Sequence, residues 1–226
     1  MERVEHWVFD LDNTLYSAQC RLFHQIDQRM GEYIAGLLQL AYGDARQVQK
    51  KYFHTYGTTL RGLMIHHQVD PSTYLKFVHD IDLTVIEPDF ALDAALTRLP
   101  GIKVIFTNAD RTHAEQVIRR LGVARHFSAI FDIHDADYVP KPEPETYDRF
   151  VANHAVTPHR SVLFEDTAAN LKPAAALGMT TVLVKPGEEG VDNDVHGAHI
   201  HHVTSDLAGW LEDTALRVAP GNGAPS

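Results

Sequence analysis

Five short runs rich in Val, Ile and Phe constrain the fold of this chain more than any other sequence feature. They are mostly unbroken, as in strands covered on both faces. The runs are HWVFDL (6–11), KVIFTN (103–108), AIFDIH (129–134), SVLFED (161–166) and TTVLVK (180–185). Helical patterns follow the second, third and fourth runs, and this alternation predicts a parallel sheet with helices on both faces. A sixth, edge strand is predicted in HIHHVTS (199–205), before a terminal helix.

The segment from 17 to 85 interrupts this alternation and is predicted to be all-helical. Apolar residues recur at three- and four-residue spacing from Leu22 to Leu38. Further on, Asp70 and Pro71 have the pattern of a helix start, with Asp70 as the N-cap. We therefore expect an α/β fold with a doubly wound parallel sheet. Its core is formed by 1–16 and 86–215, a helical cap at 17–85 covers the sheet's carboxyl edge, and a flexible tail occupies 216–226.

Composition excludes several kinds of partner. The 226 residues carry a formal net charge of -10, which argues against binding to nucleic acid or to an anionic membrane surface. The sequence contains no run of about 18 apolar residues, so no membrane span is predicted. The charged N-terminus does not resemble a signal peptide, and a single cysteine, Cys20, fits a cytoplasmic location. An anionic substrate would need local positive charge from a metal ion or from Lys and Arg.

Acidic residues follow two of the predicted strands. Asp10 and Asp12 come at the end of the first, and positions i and i+2 share one face of a strand, so their charges would repel and raise the pKa of one. Asp166 ends the fourth, and the carboxyl ends of parallel strands meet at one edge of the sheet. Three converging carboxylates predict a Mg²⁺ site. Glu165, beside Asp166, is expected to accept hydrogen bonds around that site.

Two other strand ends carry groups suited to a phosphate. Thr107 can donate a hydroxyl hydrogen bond, and the backbone N–H groups of Asn108 and Ala109 can join it around an oxyanion. Lys141 stands between two prolines that restrict its backbone. Its ammonium group, held near the acids, would balance the charge of a bound phosphate. A polar turn and a solvated lysine are the structural alternatives.

Two other metal-site interpretations have less support. The segment starting at Asp10 fails as an EF-hand, because Leu15 replaces the required Gly and Arg21 the bidentate Glu. Four histidines in 196–202 could form a metal-binding tract, but the predicted edge strand is favoured. They are His196, His199, His201 and His202.

The four polar segments together resemble a known family. In order and spacing, DLDNT (10–14), TN (107–108), KP (141–142) and EDTAAN (165–170) resemble the four motifs of the haloacid dehalogenase-like (HAD) phosphohydrolases. The resemblance extends over most of the chain. It implies a Rossmann-like core of subfamily I, with a helical cap of the C1 type inserted after the first motif.

The resemblance also implies a role for each matching residue. Asp10 corresponds to the nucleophile that forms an aspartyl-phosphate, and Asp12 to the general acid that later acts as a base. Thr107 and Lys141 correspond to the groups that hold the transferring phosphoryl group. The implied Mg²⁺ ligands are Asp10, the backbone carbonyl of Asp12, and Asp166. Dehalogenases of the family lack a carboxylate at the Asp12 position, so Asp12 indicates phosphate chemistry.

The cap carries the evidence on the substrate. Its segment 56–82 resembles the cap of the pyrimidine 5′-nucleotidase branch, and 137–147 resembles a second segment of that branch. Arg61 is therefore predicted to contact the substrate through a nucleotide's base or phosphate. Asn108 is predicted to contact it through the backbone N–H placed at the oxyanion. An ion pair of Arg61 with an acid on the cap surface is the alternative.

The predicted activity is the hydrolysis of UMP or CMP to nucleoside and phosphate. The alternatives are a phosphatase of another small ester, such as phosphoglycolate or a sugar phosphate, a phosphomutase, or a non-enzymatic phospho-accepting switch. Switch domains also place Asp, Thr and Lys at strand ends. They are shorter and lack the acid two residues after the acceptor, so Asp12 favours an enzyme. The sequence leaves the oligomeric state open.

Overall fold

A computed structural model of the protein describes residues 4–185 and 197–218. Within these ranges six strands form one sheet: β1 (His6–Phe9), β2 (Ile102–Phe106), β3 (Ala129–Phe131), β4 (Ser161–Glu165), β5 (Thr180–Val184) and β6 (His202–Thr204). Their order is β3-β2-β1-β4-β5-β6, and every neighbouring pair is parallel. The predicted doubly wound parallel sheet is confirmed.

The centre of the sheet is β1, where His6 is in register with Ile102 of β2 and Ser161 of β4. The chain runs outward from β1 through β2 to β3, and β4 then starts on the other side of β1. In open α/β sheets a ligand crevice forms beyond the carboxyl ends of the strands at such a reversal of order. Strand β1 ends at Phe9, so Asp10 and Asp12 lie in the loop beyond it, and the predicted run of 6–11 was too long.

Four of the α-helices between β1 and β2 lie within residues 17–85. They are α1 (Leu22–Leu38), α2 (Tyr42–Tyr56), α3 (Thr59–His67) and α4 (Pro71–Val78). Asp70 caps α4 as predicted, since its Oδ2 accepts a hydrogen bond of 2.8 Å from the N–H of Thr73. The four helices share a buried apolar cluster that includes Ile26, Tyr52 and Tyr74. We refer to residues 17–85 as the cap.

Five further helices cover the two faces of the sheet. They are α5 (Phe90–Arg98), α6 (Arg111–Arg120), α7 (Pro144–Asn153), α8 (Ala168–Ala176) and α9 (Leu207–Val218). Successive side chains of β1 point to opposite faces. Trp7 and Phe9 therefore pack with α5, α6 and α9, whereas Val8 packs with α7 and α8. Helix α9 includes 216–218, which differs from the predicted tail of 216–226, and 219–226 lie outside the described residues.

Aromatic packing under the central strands makes a rigid base for the loops that follow them. Phe9 stacks on Phe164 of β4 with ring centroids 4.7 Å apart, and the Trp7 indole N–H donates to the carbonyl of Pro100 at 2.6 Å. Burial of each such side chain contributes about 1.5–3 kcal/mol. The loops after β1 and β4 thus start from backbone that packing holds in place.

The histidine-rich segment has a structural place at the sheet edge. His202 belongs to β6, and His201 Nδ1 accepts the N–H of Thr181 on β5 at 3.0 Å. His199 contributes its backbone carbonyl to the Thr181 hydroxyl, and His196 lies outside the described residues. Among the helices described, none is both long enough and apolar enough to cross a membrane.

Candidate active site

The carboxyl edge of the sheet brings four sequence-distant segments together. Beyond β1, the N–H of Asp10 donates to the carbonyl of Phe164 at 2.9 Å, which ties this residue to β4. Beyond β2, the N–H of Thr107 donates to Phe131 of β3 at 3.0 Å. Because the strands are parallel, these loops open on the same side as the end of β4, where Asp166 lies.

Lys141 is the buried cation of this edge. Its Nζ donates to Asp10 Oδ1 at 2.7 Å, to Glu165 Oε2 at 2.7 Å and to the carbonyl of Phe106 at 2.8 Å. The side chain is 1% exposed, so all three ammonium donors are satisfied inside the protein. The positive charge predicted near the acids is therefore in direct contact with two of them.

The side chain of Asn108 fixes the backbone of Lys141. Its Oδ1 accepts the Lys141 N–H at 2.8 Å, and its Nδ2 donates to the Lys141 carbonyl at 3.2 Å. Thr107 is buried, and its Oγ1 accepts the N–H of Ala109 at 3.0 Å. The Ala109 N–H that we expected at an oxyanion therefore donates to Thr107. The side-chain amide of Asn108 is hydrogen-bonded to the Lys141 backbone.

Three carboxylates converge beside Lys141. One oxygen each from Asp10, Glu165 and Asp166 lies within 4.8 Å of the other two. Burial, with the charge of Glu165, raises the pKa of Asp10 to about 7. Burial likewise raises the pKa of Glu165 to about 7, and burial with the charge of Asp10 raises that of Asp166 to about 6. The single positive charge of Lys141 does not balance three carboxylates when all are ionised. A cluster of carboxylate oxygens is the kind of site that binds Mg²⁺.

The composition of this group differs from the prediction in one member. Its third carboxylate is that of Glu165, whereas the side chain of Asp12 lies outside it. The reason is that Asp12 is in the loop beyond β1, so its side chain does not share the face of Asp10, and the charge of Asp12 is only a minor cause of the raised pKa of Asp10. The Asp12 carboxylate is therefore not part of this group, and the metal role expected of its backbone carbonyl stays a prediction.

Asp12 instead has its own set of hydrogen-bond donors, which sequence reasoning missed. Its Oδ1 accepts the Tyr16 hydroxyl at 2.6 Å and faces His113 Nε2 at 3.0 Å. Burial alone would raise the pKa of Asp12, but the charge and hydrogen bond of His113, with the bond from Tyr16, lower it below its ordinary value. The i+4 spacing of Tyr16 from Asp12 was the only available signal, and Thr14 Oγ1 binds Asp10 Oδ2 at 2.9 Å with the same spacing.

A cavity of about 650 Å³ opens above the carboxylates, between the sheet edge and the cap. Six of the seven predicted site residues line it: Asp10, Asp12, Thr107, Asn108, Lys141 and Asp166. The cap contributes the opposite wall, with Phe23, Ile26, Met30, Phe53, Tyr74, Leu75 and Val78 among its apolar members. This volume lies within the range of small-molecule sites.

Arg61 is the predicted residue that the structure does not bring to the cavity. Its neighbours Thr59 and Leu60 line the cavity, but successive residues of a helix are about 100° apart, so Arg61 faces another side of α3. The Nη1 atom of Arg61 is buried and has no hydrogen-bond partner among the described residues. The predicted substrate contact is thus not seen, and neither is the alternative ion pair within the described ranges.

Comparison of the sequence with known proteins finds a matching family and a related yeast protein. The sequence profile of haloacid dehalogenase-like hydrolases matches residues 4–178. Phosphate metabolism protein 8 of Saccharomyces cerevisiae is 24% identical over 191 residues, which are 77% of this chain and 60% of the yeast protein. The chain therefore spans less than two thirds of that relative.

Solved structures share the fold. A HAD phosphatase from Thermococcus onnurineus superposes with a TM-score of 0.61 at 14% identity, over 93% of this chain and 97% of that one. The L-2-haloacid dehalogenase of Xanthobacter autotrophicus gives 0.58 at 15% identity, over 95% and 98%. At these identities the likeness shows the fold alone.

Proposed function

The chain belongs to the haloacid dehalogenase-like hydrolase family, and on this premise we propose that it is a Mg²⁺-dependent phosphomonoesterase with Asp10 as its nucleophile. The observation that carries the proposal is the arrangement of Asp10, Glu165 and Asp166 around the buried Lys141 at the base of the cavity. A carboxylate is a competent phosphoryl acceptor, and phosphoryl transfer depends mainly on positioning and on neutralising charge.

In the first step an oxygen of Asp10 forms a bond to phosphorus while the bond to the ester oxygen breaks. Asp12 is ionised in the free protein because its pKa is lowered, and it takes up a proton when the negatively charged substrate binds beside it. It gives this proton to the departing oxygen. Thr107 donates its hydroxyl to a phosphoryl oxygen, and the charge of Lys141 beside Asp10 balances the charge of the phosphoryl group. In the second step Asp12 takes a proton from a water molecule that attacks phosphorus and releases phosphate from Asp10. A general acid of this kind contributes about 10²–10⁴-fold to the rate.

Asp10, Asp166 and the backbone carbonyl of Asp12 are the proposed Mg²⁺ ligands. When bound, the ion would offset the charge of the carboxylates and of the phosphate oxygens. The hydrogen bond from Asn13 Nδ2 to Asp166 Oδ2, at 3.4 Å, supports the orientation of that ligand. Burial first, and the neighbouring carboxylates second, raise the pKa values of Asp10 and Asp166, and a bound cation would relieve both effects.

The affinity for Mg²⁺ is expected to be about 10–100-fold weaker at pH 5.5 than at pH 8. Ligand carboxylates must lose their protons to bind a metal ion. Since the pKa values are about 7 for Asp10 and about 6 for Asp166, protons compete with the ion below pH 6 and no longer do so at pH 8. Calorimetric titration of the protein with MgCl₂ at both pH values measures this difference.

Two variants test that titration, one without a proposed ligand and one as a control. Asp166→Asn should lose binding at both pH values, whereas Asp82→Asn, which replaces the N-cap of a short helix in the cap, should bind as the wild type does. An affinity for Mg²⁺ that is independent of pH would argue against these ligands.

The proposed substrate is a pyrimidine nucleoside 5′-monophosphate. The cap wall of the cavity is largely apolar and carries the aromatic side chains Phe23, Phe53 and Tyr74. A nucleobase can stack on such side chains, with about 1–3 kcal/mol per base. Phosphoglycolate offers no apolar surface to this wall, so the cavity favours a nucleotide over that smaller ester.

A phosphate-release assay with UMP, CMP, AMP, GMP, phosphoglycolate and glucose 6-phosphate tests the substrate. We expect kcat/KM to be at least about tenfold higher for UMP and CMP, as a shaped apolar pocket can provide. Phe23→Ala should lower kcat/KM for UMP by about 5–100-fold. Phe90→Ala, at an 81% exposed position on α5, is the matched control. A flat profile would contradict the nucleotide assignment and leave a general phosphatase.

A further inference from the structure

Both hydrogen-bond donors that reach the carboxyl group of Asp12 bind the same oxygen. The Tyr16 hydroxyl lies 2.6 Å and His113 Nε2 lies 3.0 Å from Oδ1. Among the described residues no group is hydrogen-bonded to Oδ2. Asp12 also lines the cavity, so one of its oxygens is tied to the protein and the other has no partner there.

The ring of His113 is held in one orientation. His113 is buried in the first turn of α6, and its N–H donates to Oδ1 of Asp110, the N-cap of that helix, at 2.8 Å. The ring stacks on His79 with centroids 4.3 Å apart and planes at 12°. His79 Nδ1 in turn lies 2.6 Å from Asp110 Oδ2. His79 belongs to the cap, so cap and core together fix the ring that faces Asp12.

The geometry also shows that Nε2 of His113 carries a hydrogen. Oδ1 of Asp12 already receives the Tyr16 hydroxyl, and a carboxylate only accepts hydrogen bonds, so Nε2 must be the N–H that faces it. Nδ1 of His113 is buried without a partner among the described residues. Both donors can keep their bonds to Oδ1 whether or not Oδ2 carries a proton.

We propose that His113 is a positioning residue that, with Tyr16, reserves Oδ2 of Asp12 for the proton delivered to the leaving group. This inference rests on the proposed function. As the bond from Asp10 to phosphorus forms, the bond to the ester oxygen breaks and its electron pair stays on that oxygen. The oxygen then takes the proton that Oδ2 gained when the negatively charged substrate bound, and the two donors on Oδ1 stabilise the carboxylate that remains.

The test compares two leaving groups in variants of His113. The ribose 5′-oxygen of UMP needs a proton to depart, whereas p-nitrophenolate departs as a stable anion. Because kcat/KM covers the steps up to transfer of the phosphoryl group to Asp10, it isolates the use of the acid. We expect His113→Leu to lower kcat/KM about 10–100-fold for UMP and less than about threefold for p-nitrophenyl phosphate.

His113→Gln keeps an N–H donor and should retain kcat/KM for UMP within about fivefold of the wild type. His126→Leu is the matched control, because His126 Nε2 also faces an aspartate, Asp93, at 2.8 Å but does not line the cavity. If His113→Leu does not fold, Tyr16→Phe removes the other donor with little change of volume and should give the same dependence on the leaving group.

The outcomes distinguish the positioning role of His113 from the proposed phosphatase activity. If His113→Leu and Tyr16→Phe lower kcat/KM equally for both substrates, or if His113→Gln is as impaired as His113→Leu, the positioning role is wrong while the phosphatase stands. If the wild-type protein hydrolyses neither ester in the presence of Mg²⁺, the proposed function fails and takes this inference with it.

Discussion

Replacing Asp10 with Asn is expected to lower kcat for phosphate release by on the order of 10⁴-fold or more, because an amide does not accept a phosphoryl group. The fold should remain. The pKa of Asp10 is raised to about 7, so the ionised side chain is unfavourable in the folded protein, and the stability it contributes at low pH is lost as pH rises through 7. Neutral Asn avoids this loss, and the variant should be at least as stable as the wild type at pH 8.

Steady-state phosphate release and thermal unfolding at pH 8 measure the two effects in the same preparation. Asp89→Asn is the matched control, because Asp89 caps α5 through its Oδ1 and Asn caps helices equally well. Activity within tenfold of the wild type in Asp10→Asn would exclude Asp10 as the nucleophile. Lost activity together with a clearly lowered unfolding midpoint would attribute the loss to the fold instead.

The sheet and the meeting of its strand ends could be predicted because both follow from local patterns. Unbroken apolar runs indicate strands buried on two faces, and alternation with helices indicates parallel pairing. Parallel strands place their carboxyl ends at one edge, so residues as distant as Asp10, Thr107 and Asp166 were expected in one crevice, where they line the same cavity.

The surroundings of Asp12 could not be predicted, because they depend on how helices pack. His113 comes from the first turn of α6 and His79 from the residue after α4, and no sequence spacing links either of them to Asp12. For Arg61 the helix itself was predicted, but its rotation about its own axis was not. That rotation turns Thr59 and Leu60, and not Arg61, toward the cavity. Asn108 lines the cavity, and its side-chain amide holds the Lys141 backbone.

Replacing Lys141 with Met is expected to destabilise the protein by about 3–5 kcal/mol and to abolish phosphate release. Removing one partner of a buried ion pair leaves the other charges uncompensated. Lys141 is 1% exposed and contacts both Asp10 and Glu165 at 2.7 Å, so its loss leaves three neighbouring carboxylates without a cation. Urea denaturation at pH 8 measures the change in the free energy of unfolding.

The pH dependence separates this charge effect from a simple loss of packing. The pKa values of Asp10 and Glu165 are already raised to about 7, and loss of the Lys141 charge would raise them further. Carboxyls with raised pKa values stabilise the folded state at low pH and lose that contribution as pH rises. The free energy of unfolding that Lys141→Met loses relative to the wild type should therefore be smaller at pH 5 than at pH 8.

A second buried lysine in the same sheet provides the control. Lys103 of β2 is bound to the carbonyls of Leu99 and Gly101 and contacts no carboxylate among the described residues. Lys103→Met should keep phosphate release and show a stability change that is the same at pH 5 and pH 8. If Lys141→Met behaves as Lys103→Met does, the carboxylates at this edge are not held by Lys141, and charge balance at the proposed phosphoryl site has another source.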